Sequence, residues 1–114
     1  MTVVRTALAA VVMGLLLTSC TGDGGGSTVS SIDITIEGDT VTPNGDRVRV
    51  AAGEPVSLEI TADEPGTLHV HSEPEQEFDY EAGSSTITVQ LDRPGVVEIE
   101  SHELDETIVS LEVR

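Results

Sequence analysis

Lysine and tryptophan are absent from this chain of 114 residues, and sulfur is nearly absent. There is one cysteine, Cys20, and two methionines, Met1 and Met13. One cysteine cannot pair within the chain, so a disulfide framework is excluded. Positive charge is equally scarce: five arginines stand against 21 acids, for a net charge of −16. Nucleic acid as a partner is excluded on that count, because neutralising phosphates takes clustered Lys and Arg. No uninterrupted apolar run approaches the ~20 residues of a spanning helix. The hydrophobic share of 38% is nevertheless too high for a disordered acidic chain. At this length one small acidic domain is expected.

The chain opens on an address. Met1 to Thr6 carries Arg5 as its one charge, and Ala7 to Leu17 is an apolar or small-residue run of eleven. A basic start, a short apolar centre and a small-residue exit describe a secretory leader over 1–19. Leu17-Thr18-Ser19-Cys20 resembles the lipobox of bacterial lipoproteins. That resemblance implies cleavage before Cys20 and diacylglyceryl attachment to its sulfur, which anchors the chain to the extracytoplasmic face of a bacterial membrane. The mature chain then has four arginines against 21 acids, or −17, and neither a free thiol nor a methionine. Such a charge repels anionic headgroups and attracts cations. Residues 20–31, rich in Gly and Ser after the cysteine, are expected to be a flexible tether.

From Ile32 to Arg114 the pattern is all-β. Ile32, Ile34 and Ile36 alternate with polar residues, and so do Val56, Leu58 and Ile60; Leu68 and Val70; Ile87, Val89 and Leu91; Val97 and Ile99; Val109, Leu111 and Val113. Period two places each apolar set on one face of a strand. Turn residues such as Pro43-Asn44-Gly45-Asp46 and Arg93-Pro94-Gly95 separate the runs. About seven strands, paired antiparallel with one face of each sheet wet, predict a two-sheet sandwich. The acidic stretch Ser72 to Glu81 is the least strand-like part, with Phe78 and Tyr80 expected to cover an open edge of the core.

The Ala52-Gly53-Glu54-Pro55 turn with its following strand, the Leu68-His69-Val70-His71 segment and the closing hairpin from Pro94-Gly95 to Val113 resemble a cupredoxin. The resemblance covers the whole of 32–114 and implies a Greek-key β-sandwich. In copper-binding cupredoxins one His precedes a Cys, a His and usually a Met on the last hairpin loop. His69 or His71 takes the first place, but Ser101 falls where the thiolate belongs. His102 follows it directly, and no methionine lies in Asp105 to Ile108. A blue-copper centre is a trigonal His₂Cys site, so without the thiolate its electron transfer is not expected here.

Imidazoles and carboxylates remain. His69 and His71, two apart on one strand, project from one face. His102 sits at the end of the next-to-last strand, which the cupredoxin resemblance implies lies near that region. Glu73 and Glu75 follow the pair, and Glu100 and Glu103 flank His102. Neutral imidazole with carboxylate suits copper(II) or zinc, so His69, His71 and His102 are the candidate ligands. The acids raise histidine pKa values and oppose metal binding in mildly acid solution. No catalytic elbow, nucleophilic cysteine or spaced calcium loop is present, so the chain reads as a binding module and not an enzyme. A domain that kept the sandwich and binds no metal is the alternative. Outward acids such as Glu98, Glu100 and Glu112 discourage edge pairing, so a monomer is expected.

Overall fold

The computed structural model describes residues 26–114. The leader, Cys20 and the start of the tether lie outside the described residues. Nine strands follow: β1 (Ser31–Glu37), β2 (Thr40–Thr42), β3 (Asp46–Val50), β4 (Pro55–Ala62), β5 (Gly66–Val70), β6 (Gln76–Tyr80), β7 (Gly83–Gln90), β8 (Gly95–Ser101) and β9 (Glu106–Val113). They form a four-stranded sheet, β2-β1-β4-β7, and a five-stranded sheet, β3-β9-β8-β5-β6. No helix occurs among the described residues.

The alternating residues put their apolar members between the sheets. Leu58, Leu68, Val70, Ile99, Ile108, Val109 and Leu111 have no exposed surface, and Ile34, Val56, Ile60 and Val89 have almost none. The all-β sandwich is therefore as expected, with two differences of detail. The strand number is nine, because the short β2 and the acidic β6 join the sheets. The ladders are not all antiparallel: β1 runs parallel to β4, and β3 parallel to β9. Each parallel pair joins strands that are distant in sequence, which local alternation cannot reveal.

Segment 72–81 departs most from expectation. Its second half forms β6, and Tyr80 is buried while Phe78 packs half-buried against the core. Pairing with β5, Leu68 opposite Phe78 and His69 opposite Glu77, overrides the poor strand propensity of its acids. In β9 two consecutive residues, Ile108 and Val109, are both buried. A bulge accounts for this: Ile99 opposes Val109 while Glu100 opposes Thr107, so Ile108 is the extra residue and the facing shifts by one. The last tether residues also touch the domain. Val29 N–H donates to the Arg49 carbonyl at 2.9 Å, and Arg49 Nη1 donates to the Gly26 carbonyl at 3.0 Å.

Gly66 opens β5 at a point with no room for a side chain. It opposes Tyr80, whose hydroxyl lies over it. A Cβ there would sit 2.6 Å from Tyr80 Cζ and 2.7 Å from Glu103 Oε2. Neither neighbour yields easily. Tyr80 is wedged in the core, and both Glu103 oxygens accept the Thr67 N–H at 3.0 Å. Gly66→Ala is expected to cost about 1–3 kcal/mol, the usual penalty for overpacking. Denaturant unfolding reads it directly, and an unchanged midpoint at unchanged slope would refute this account of the contact.

Candidate metal centre

Because Leu68 and Val70 face inward, His69 faces out, and His71 follows one residue past the end of β5 on the same outer face. Their ring centroids are 6.1 Å apart. The connection to β6 returns Glu75, and β6 itself Glu77, beside them. His69 Nε2 lies 2.9 Å from Glu77 Oε1, and His71 Nδ1 lies 2.9 Å from Glu75 Oε1. From β8, Glu100 Oε2 lies 2.9 Å from His71 Nε2. Donor atoms of His69, His71 and Glu75 all fall within 4.8 Å of one another, close enough for one ion to touch all three.

His102 arrives nearby but differently. It begins the turn after β8, held by its N–H donating to the Thr67 carbonyl at 3.0 Å. Its ring stacks on His69, with centroids 4.9 Å apart and planes 15° from parallel. Imidazole ligates in its ring plane, so two stacked rings aim their lone pairs along separate, nearly parallel planes. The structure thus brings His69 and His71 together with Glu75, while His102 packs against His69 from outside that donor group. Glu103 turns away to the Thr67 N–H, and Glu73 stays exposed in the connection to β6. Cys20 lies outside the described residues. Glu77 was the residue that sequence reasoning missed. It sits opposite His69 only because 76–80 is a strand, and the hairpin register was its one signal.

Both nitrogens of His71 face carboxylates, which only accept hydrogen bonds. Both are satisfied at once when the ring carries two protons. Its pKa is accordingly raised above the ordinary 6.5, first by the hydrogen bond to Glu100 and then by the charges of Glu75, Glu100 and Glu98, against the opposing effect of burial. Glu100 is lowered in return, chiefly by the same bond. A raised histidine stabilises the fold fully below its unfolded pKa, and the contribution fades as pH rises through the folded value. The His71 ring protons, followed by NMR, are expected to titrate above the ordinary midpoint, and Glu100→Gln is expected to bring the midpoint down. A midpoint at or below the ordinary value, or one indifferent to Glu100→Gln, would contradict this geometry.

Ser101, the residue that the resemblance sets at the thiolate position, ends β8 and is wholly buried. Its hydroxyl accepts the Leu104 N–H at 3.3 Å, and its carbonyl accepts the Asp105 N–H at 2.9 Å. The residue closes the last hairpin turn and offers no metal donor in place of sulfur. The imidazole pair lies on the outer sheet face, partly open to water.

No protein-family model matches this chain, and no curated protein matches it. Solved structures match its fold. Reduced auracyanin from the photosynthetic bacterium Roseiflexus castenholzii superposes with a TM-score of 0.55 at 11% identity, covering 77% of this chain and 99% of that one. A Cu(I) amicyanin variant gives 0.56 at 10% identity, over 77% and 86%. A multi-copper oxidase from Pediococcus acidilactici gives 0.55 at 12% identity, over 79% of this chain but 28% of the oxidase. At such identities the likeness establishes the fold, which is that of the cupredoxins, in a domain without cysteine or methionine among the described residues.

Proposed function

We infer that this chain is a lipid-anchored, extracytoplasmic binding module of a bacterial envelope that takes up a divalent transition metal, copper(II) or zinc, weakly and without blue-copper electron transfer. The observation that carries the metal reading is the donor group of His69, His71 and Glu75 where β5 runs into the connection to β6. Two imidazoles and a carboxylate match copper(II), zinc and nickel, and Cu(I) finds no sulfur. Glu100 supports the pair from behind. When an ion takes the Nδ1 side of His71, Nε2–H stays on Glu100, the carboxylate–imidazole–metal arrangement that fixes ring and tautomer. The anchor rests on the lipobox-like tetrad ending at Cys20. An enzyme is not proposed, because no nucleophile with a positioned base accompanies these groups.

The second reading, a metal-free interaction or structural domain of an envelope or transport complex, has its own support: carboxylates already occupy both ring nitrogens of His71. Calorimetric titration of the protein with Cu(II) and Zn(II) at pH 7.5 separates the two, pH being chosen to favour the unprotonated ring. One equivalent bound, with the weak visible absorption of a nitrogen–oxygen copper site, supports the metal reading. Silent titrations with both ions leave the metal-free domain.

A further inference from the structure

The acids expected to guard the sheet edges do not lie on edges. Glu98, Glu100 and Glu112 belong to β8 and β9, which have neighbours on both sides. The true edges are β2, β3, β6 and β7. β2 is three residues long, β3 carries Asp46, Arg47 and Arg49, and β6 carries Glu77 and Asp79. These are ordinary defences against edge pairing: shortness and charge. β7 has neither. Its eight residues, Gly83-Ser84-Ser85-Thr86-Ile87-Thr88-Val89-Gln90, carry no charge in a chain of net charge −16, and they pair on one side alone, with β4. Ile87, although it faces the interior, is only half-buried at this edge, and the Ser85 hydroxyl is enclosed without a hydrogen-bond partner.

We propose that β7 is the interface between two copies of this chain, joined antiparallel about a twofold axis at Ile87 into one continuous eight-stranded sheet. Charge selects the occupant. A strongly acidic chain meets its own copy with least repulsion along its one long neutral edge, whose nearest acids, Glu81, Asp92 and the Glu59 that Thr86 holds, lie beyond its ends or on the next strand. Facing excludes half of the registers, and the charges just beyond the strand ends choose among the rest. Antiparallel partners must share a face, so residue numbers of opposed positions sum to an even value. Centring on Ile87 sets Ile87 against Ile87, Thr86 against Thr88, and Ser85 against Val89. The interior faces of both copies then run on without a break. The same register directs Glu81 of each copy toward Arg93 of the other. Arg93 is the arginine without an ion pair among the described residues, whereas Arg47, Arg49 and Arg114 all reach Glu112. Closed twofold pairing uses up the edge, so the assembly stops at two.

The test is sedimentation of the full Cys20→Ser chain in a non-ionic detergent at about 150 mM salt, from about 1 to 500 µM. A reversible monomer–dimer equilibrium is expected. Arg93→Glu and Glu81→Arg each place like charges across the axis twice, and each is expected to weaken the dimer roughly fivefold. The double variant restores the pair and is expected to recover most of that loss. Both residues are exposed, so folding is retained. A chain that stays monomeric throughout overturns the proposal, and so does a dimer indifferent to both reversals, which would use another surface.

Discussion

Cys20→Ser is expected to strip the protein of covalent lipid, the largest single change available in this chain. A labelled fatty acid supplied to expressing cells should appear on the wild-type chain and be absent from the variant. On detergent phase separation the wild type should enter the detergent phase. Each buried methylene of an acyl chain contributes ~0.8 kcal/mol, so two or more chains anchor stably where one is marginal. Nothing in the described domain replaces them. Its surplus of acids is repelled by anionic headgroups, and no helix among the described residues is long and apolar enough to cross a membrane. Unlabelled wild type, or labelled Cys20→Ser, would remove the anchor from the proposed function and leave the metal reading to stand alone.

The fold was legible where burial is one-sided. Ile32-Asp33-Ile34-Thr35-Ile36 and Val56-Ser57-Leu58-Glu59-Ile60 announce strands because one face of each packs inward and the other meets water. That these two strands are parallel neighbours, Ile34 beside Ile60, is written in no local pattern, since the intervening β2 and β3 lie between them in sequence. β6 was hidden for the opposite reason. Gln76-Glu77-Phe78-Asp79-Tyr80 alternates faithfully, but its polar positions are acids of low strand propensity, and β5 supplies the ladder that offsets it.

The site was legible in one dimension and not in two. Spacing alone puts His69 and His71 on one face, and the structure keeps them there. Their acidic partners depend on pairing across strands: Glu77 on the register of β5 with β6, and Glu100 on that of β5 with β8. Ser72-Glu73-Pro74-Glu75 offers two equivalent acids to the eye, and only the path of the connection selects Glu75. His102 shows the same gap. Proximity followed from its place near β8, but ring stacking on His69 followed from the turn geometry set by the Thr67 carbonyl.

That placement gives the metal reading its sharpest prediction. His69→Ala/His71→Ala is expected to abolish Cu(II) and Zn(II) binding in calorimetry, and either single variant to weaken it at least ~100-fold. Losing a group that merely orients a ligand costs ~10–100-fold, and losing the ligand costs more. His102→Ala should stay within about twofold, because its ring stands outside the donor group. Glu100→Gln should change the pH profile rather than the capacity. The raised His71 pKa means that an ion must first displace a proton, so wild-type affinity climbs as pH rises through that midpoint. Gln at 100 keeps an acceptor for Nε2–H but removes the charge that holds the second proton. Binding then sets in at lower pH, while the plateau at high pH falls by about tenfold as the ring loses its charged support. A metal held instead by the acids scattered over this surface would ignore both histidine substitutions, and a site built on His102 would invert the order of the variants.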